Sequence, residues 1–332
     1  MNVESHKTIG TMKKIYTALL FSVALGFGLS SCNEDKVDFD HSIFENKEAQ
    51  ANAEAAKNDF DRWLDVNYLA PYNVSFKYRF EDNESDKKYN LAPADFDKSV
   101  ALAKIVKHVW MEAYNEVAGS DFLRTYIPRT IHLVGSPAYD KAGTMVLGTA
   151  EGGVKITLYN VNDIDLSRIN IAMLNEYYFK TMHHEFAHIL HQRKNYDVAF
   201  DRITEDSYIG SNWYIYTDPE TGGTSDRTAQ QAWQAGFVSP YAMSESREDF
   251  VENIANFVTH DQAYWDNMLQ QAGDKGAALI NQKFTIVYNY MKETWGIDLN
   301  KLRSTVLRRQ EEIKTLDLTL PKTSESTHSN EE

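Results

Sequence analysis

The chain has 332 residues, 42% hydrophobic and 25% charged, an ordinary balance for a globular protein of one large domain or two modest ones. Its net charge of −14 argues against a nucleic-acid groove, which needs a basic face, so no nucleic-acid partner is expected. An acidic surface favours solubility and says little about substrate.

In chain order, the first element is a targeting segment. "MKKIYTALLFSVALGFGLSSC" starts at Met12 with two lysines, runs apolar from Ile15 to about Leu29 and ends in small residues before Cys32. A basic start, a short apolar core and a small-residue end make a secretory signal, too short to cross a bilayer comfortably. "LSSC" resembles the bacterial lipobox, in which the signal is cut before a cysteine that is then diacylated. Cys32 is the one cysteine of the chain, so the mature body would hold no other thiol. Residues 1–32 are therefore expected to be a cleaved lipoprotein signal, and Cys32 a lipid anchor that does not span. "NEDKVD" after Cys32 is acidic and resembles the surface-export signals of Bacteroidetes lipoproteins. The expected location is the outer membrane, with exposure at the cell surface.

Residues 33–50 read as a polar tether. From Ala51 the pattern is helical, with Phe60, Trp63 and Leu64 on one stripe and Pro71 as a stop. "NVSFKYRF" alternates as a strand does. A second helix runs from Pro93 to Gly119, and "RTIHLVGS" and "GGVKITLYNV" are further strands. Residues 170–195 form a long helix, followed by a loop-like region to about Ser239. Helices dominate from 244 to about 314, and the polar tail 317–332 reads as disordered. The expected domain spans 51–316 as one α+β unit: a small sheet, an active-site helix and a helical C-terminal half.

The chemistry concentrates in "KTMHHEFAHILHQRK", residues 180–194. His184, Glu185 and His188 make HExxH. On a helix, residues four apart share a face about 6 Å apart, so both imidazoles can reach one ion. The adjacent Glu185 can then act on a metal-bound water as general base. His191 lies on the same face but about 10 Å further along the axis than His184, and "HILHQRK" has no glycine to turn the chain back. His191 is thus expected to pack or to orient a ligand from behind. His183 points about 100° away and belongs to the core or behind a ligand.

A third protein ligand must come from elsewhere. "SREDFVENIANF", 246–257, is amphipathic, with Phe250, Ile254 and Phe257 on one stripe and Glu248 and Glu252 one turn apart beside it. Glu248, Glu252 and Asp249 are the candidates. Glu248 and Asp249 point about 100° apart, so only one can face the ion.

Glu248-Asp-Phe-Val-Glu252, with Tyr241 seven residues upstream, resembles the ExFxE segment of gluzincin metallopeptidases of the anthrax lethal factor type. That resemblance implies a zincin-like fold with one Zn2+ on His184, His188 and Glu248. It also makes Tyr241 a hydroxyl donor to the oxyanion and Glu252 an orienting residue behind a histidine. Together with the lipobox, "GTAEGGVKITLYNVN", "HHEFAHILHQ" and "EDFVENIANFV" resemble the Bacteroidetes substrate import-associated zinc metallohydrolase lipoproteins. This likeness implies a peptide or protein substrate and Sus-type outer-membrane import proteins as partners. Zincins place an edge strand above the active-site helix, to which a peptide can add by backbone hydrogen bonds. The expected segment here is Thr157, Leu158 and Tyr159, for which an ordinary buried strand is the competing reading. The competing reading is a non-catalytic binding subunit of an import complex, against which the intact Glu185 argues, since a structural site has no need of a base.

Overall fold

Asn58 opens the main body. Its side chain accepts from the backbone N–H of Asp61, and Asp61 returns the bond to the Asn58 N–H, a capping box that starts helix α1 (Asp59–Leu64). The helix expected to run unbroken from Ala51 is therefore interrupted here. α1 continues through a π turn, Asp65–Leu69, and ends past Pro71 at Asn73, which adopts the left-handed conformation.

This computed structural model describes residues 51–52, 54–81, 88–139, 145–146, 148–151 and 154–320. Residues 1–50, with the expected signal segment, Cys32 and the expected tether, lie outside the described residues. The chain divides into two units, Met1–Lys57 and Asn58–Glu332. Of the first, the described part is a helical stretch with a Lys57–Glu54 ion pair of 2.7 Å. Among the described residues, no helix is long and apolar enough to cross a membrane.

In the second unit, β1 (Ser75–Lys77) precedes helix α2 (Phe96–Val106), which Asp95 caps through the Lys98 N–H. After a π turn the helix resumes as α3 (Glu112–Ala118), and Gly119, at φ +88°, ends it. α4 (Ser120–Tyr126) leads into β2 (Thr130–Leu133). β3 (Ala138–Tyr139) and β4 (Met145–Val146) pair as a small ribbon, and β5 (Gly148–Glu151) and β6 (Lys155–Leu158) follow. The main sheet has the order β1-β2-β6-β5, parallel except for the last pair.

This order corrects one expectation. β6 is an interior strand: Thr157 stands opposite His132 on β2 and opposite Thr149 on β5, and Leu158 opposite Leu133 and Gly148. Both of its backbone edges are paired, and Thr157, Leu158 and Tyr159 are all buried. A peptide cannot add to it. The end strand on that side is β5, and β5 runs against the HExxH helix.

That helix, α6 (Lys180–Arg193), continues α5 (Ile171–Leu174) through a π turn. No glycine or proline interrupts residues 171–193. One of its faces carries Phe186 into an aromatic cluster with Trp110 and Tyr114, at ring-centroid distances of 5.5 and 4.8 Å. The hairpin β7 (Ile215–Thr217) and β8 (Thr224–Asp226) precedes α7 (Ala229–Gln234). α8 (Ser246–Thr259) crosses α6 and is buried continuously from Asp249 to Thr259, a central helix more than a surface one. α9 (Gln262–Asn289), kinked at Gly273, packs on α7 so closely that a Cβ at Gly276 would fall 2.3 Å from the Trp233 carbonyl oxygen. α10 (Leu299–Glu312) completes the helical half. The chain then stays on the body past residue 316: Lys104 bonds the Asp317 carbonyl at 2.9 Å, and Leu318 and Leu320 pack on the core.

Candidate metal centre

Two helices build the site. α6 presents His184 and His188 one turn apart, and α8, crossing it, presents Glu248 from its first turn. The His184 Nε2 and His188 Nε2 atoms lie 3.2 Å apart. Glu248 Oε2 lies 3.0 Å from the first and 3.2 Å from the second. Zinc bonds of 2.0–2.2 Å arranged tetrahedrally separate their ligand atoms by about 3.4 Å. The three donors thus form a near-equilateral triangle of the size such an ion requires, and they are the group among the described residues that could hold one.

The charge of the pocket fits a cation too. Burial alone would lower the His184 pKa, but hydrogen bonds to Glu248 and Glu252 raise it to about 10. Burial would raise Glu248, yet the two histidines hold it down at about 2. Without a metal, the buried carboxylates thus favour positive charge on the facing imidazole. Two histidines with one carboxylate is a donor set that zinc accepts.

Each ligand imidazole is held from behind. His184 Nδ1 donates to Glu252 Oε1 at 2.8 Å, leaving Nε2 as the free donor atom. His188 Nδ1 lies 3.0 Å from His191 Nε2. Burial, helped by the charges of His188 and Arg247, lowers His191 to about 4, so it is neutral and accepts that bond. His191 lies between Tyr196 and Phe250, in edge contact with both rings at 5.7 and 6.4 Å. Its place is beside His188 and away from the triangle, as the unbroken helix requires.

The alternative ligands are occupied otherwise. Glu252 spends Oε1 on the Nδ1 side of His184, and its Oε2 accepts from Lys180 at 2.8 Å, Ser239 at 2.5 Å and Asn256 at 3.2 Å. Asp249 forms a fully buried ion pair with Lys283 at 2.5 Å and accepts from the Tyr208 hydroxyl at 2.9 Å. His183 is in the core, its Nδ1 3.1 Å from the Tyr114 hydroxyl, and burial lowers it to about 3.

Glu185 is buried beside His184, and burial raises its pKa against the pull of the two histidines. Tyr241 lies over His184, ring centroids 5.8 Å apart, with Trp213 edge-on at 5.2 Å on its other side. The residue is 37% exposed, but desolvation of the hydroxyl where it faces the site, then the carboxylates of Glu248, Glu252 and Glu185, push it well above the ordinary phenol range. Thr157, Leu158 and Tyr159 lie in and after the interior strand and bring no side chain to the triangle. Lys180, Ser239 and Asn256 were not singled out from sequence. Lys180 stands four residues before His184 and so shares its face, from which it reaches Glu252; Asn256 stands four after Glu252, on the same face as the carboxylate it bonds.

A comparison with curated proteins finds no match. A solved structure entitled a putative zinc-binding metallo-peptidase, from Bacteroides caccae, is 50% identical, with a TM-score of 0.67, covering 80% of this chain and 97% of its own. The model of the family described as "Putative zinc-binding metallo-peptidase" matches residues 53–300, and the chain belongs to that family.

Proposed function

We propose that the protein is a zinc-dependent peptidase of the gluzincin type, with His184, His188 and Glu248 holding one Zn2+. The observation that carries this reading is the triangle of donor atoms 3.0–3.2 Å apart with a buried carboxylate, Glu185, next to the first histidine. Zinc held by His184, His188 and Glu248 would supply Lewis acidity, lowering the pKa of a bound water toward 7 and polarising the scissile carbonyl. Glu185, its pKa raised by burial, takes the proton of the attacking water and hands it to the departing amine. Tyr241 stays protonated at neutral pH and donates to the carbonyl oxygen as charge develops there. Glu252 and His191 keep the two imidazoles turned with Nε2 inward. The substrate is a peptide or protein chain, for which β5, as end strand beside α6, offers backbone to pair with.

The lipobox-like "LSSC" supports a lipid anchor at Cys32 and a place on the outer membrane, where Sus-type import proteins are the expected neighbours. Metal analysis and peptide-library profiling of wild type and Glu185→Gln test the enzymatic part. The variant should keep its zinc and lose hydrolysis. Hydrolysis retained in Glu185→Gln rejects the mechanism.

A further inference from the structure

Ser239 stands two residues before Tyr241, is 7% exposed, and has its hydroxyl committed on both sides. Oγ donates to Glu252 Oε2 at 2.5 Å and accepts the N–H of Ala242 at 3.2 Å. The second bond fixes the turn Tyr241–Met243, which backbone bonds from Met243 to Pro240 and from Ser244 to Tyr241, both 3.0 Å, close into a single helical loop. The first bond ties that turn to the carboxylate whose other oxygen receives His184 Nδ1 at 2.8 Å. One carboxylate therefore fixes both a metal-facing imidazole and the turn that presents Tyr241. The remaining donors to Glu252 Oε2, Lys180 and Asn256, sit on α6 and α8 and do not touch the turn.

We infer that Ser239 is a positioning residue for Tyr241: through Glu252 it sets where the phenol stands over His184. This rests on the reading of Tyr241 as the donor to the developing oxyanion. Without the Ser239 hydroxyl, Glu252 keeps His184, Lys180 and Asn256, so the imidazole stays oriented. The Tyr241 turn loses its link to Glu252, and the Tyr241 hydroxyl keeps only its own hydrogen bond to Glu248 as a side-chain tie to α8. Two properties that a general loss of structure would move together are thereby separated.

The experiment uses the zinc-loaded full chain, with two readouts that need no turnover. One is the affinity for a phosphinic peptide, whose tetrahedral anion imitates the charge Tyr241 would meet, measured by calorimetry. The other is zinc affinity, measured by chelator competition. Tyr241→Phe should weaken the phosphinic peptide by about ten- to a hundredfold, the range for a hydrogen bond to a charged group. Ser239→Ala should weaken it by roughly three- to tenfold, a misplaced bond being weaker than a made one and stronger than none. Combined with Tyr241→Phe it should add nothing, because the two residues act as one unit. Zinc affinity in Ser239→Ala should stay at the wild-type value. Ser239→Cys, near in size and a weaker donor, should fall between serine and alanine, and it serves where alanine does not fold. An equal loss in both Tyr241 backgrounds overturns the inference, as does lowered zinc affinity or an unchanged phosphinic peptide. If Tyr241→Phe alone has no effect, the oxyanion reading falls and the inference with it, whatever the Ser239 variants do.

Discussion

Glu252 Oε1 and His184 Nδ1 lie 2.8 Å apart, and both residues are buried. The contact fixes which nitrogen of His184 carries the proton and which faces Glu248. A ligand held in this way has lost its rotational freedom before the ion arrives, so the metal does not have to order it. Glu252→Ala should lower zinc affinity by about ten- to a hundredfold, the usual cost of removing a carboxylate behind a ligating histidine. Chelator competition checks it, and an affinity equal to wild type would show that α6 orients His184 without help. The same substitution leaves Lys180 without its carboxylate partner, but at a side-chain exposure of 25% the ammonium can turn to water. The buried Ser239 hydroxyl and Asn256 amide lose the same acceptor, so the stability of the metal-free chain should fall as well.

A second relationship holds α8 in place. Lys283 and Asp249 are both fully buried, 2.5 Å apart, and Lys283 also donates to the Gly236 carbonyl at 3.0 Å and stands 3.7 Å from the centre of the Phe237 ring. Asp249 directly follows Glu248, so this pair sets the position of the helix start that carries the third donor. Replacing one member of a buried pair strands the other, at about 3–5 kcal/mol. Lys283→Met should destabilise by that order, measured by urea unfolding with chelator present. Burial already pushes Asp249 up to about 6, so the stranded carboxyl can take a proton, which favours the lower end of that range. Lys283→Met with Asp249→Leu should recover most of the loss. Strictly additive losses would mean that the pair contributes packing alone.

Much of this site is legible in the sequence because helix geometry is so restrictive. The spacing of His184 and His188 places both imidazoles on one face, and the lack of a glycine after His188 leaves His191 stranded a turn further on. Both statements hold for any unbroken helix, and α6 is one. Glu248 could be chosen by resemblance but not from spacing alone, since Asp249 and Glu252 are equally acidic. What separates them is partners from distant segments: Lys283 claims Asp249 from 34 residues away, and Lys180 and Ser239 claim Glu252. The strand assignment fails for a related reason. "KITL" reads the same whether it lies at the edge of a sheet or inside it. Only the pairing of β5 on its far side, which depends on the course of the chain between β2 and β6, decides the matter. The full burial of α8 is not legible in its sequence, because an amphipathic pattern does not say what covers the polar face. In the fold Asp249, Glu252, Asn253 and Asn256 are all buried, and the first two are held by charged partners.

Away from the metal centre, Glu112 joins α3 to α10. Its two oxygens meet Lys107 at 2.6 Å and Arg309 at 2.8 Å, with His108 3.4 Å away. Burial would raise its pKa, but hydrogen bonds to His108 and Lys107 and the nearby charges of Lys107 and Arg309 hold it down at about 2, from an ordinary 4.5. A carboxylate with a depressed pKa stays ionised in the native state at pH values where the unfolded chain has taken up its proton. Its stabilisation is therefore full above pH 4.5 and is lost as pH falls toward 2. The side chain is 30% exposed, so solvent screening reduces the figure that the shift alone would give to about 1–2 kcal/mol. Glu112→Gln should lose that amount at pH 7, and its deficit relative to wild type should shrink steadily between pH 4.5 and 3. Urea unfolding at a series of pH values checks this. All samples carry chelator, so that protonation of the metal-site histidines does not add a metal-release term of its own. A constant deficit across that range would show that the contribution of Glu112 is packing and hydrogen bonding, with no part from its charge.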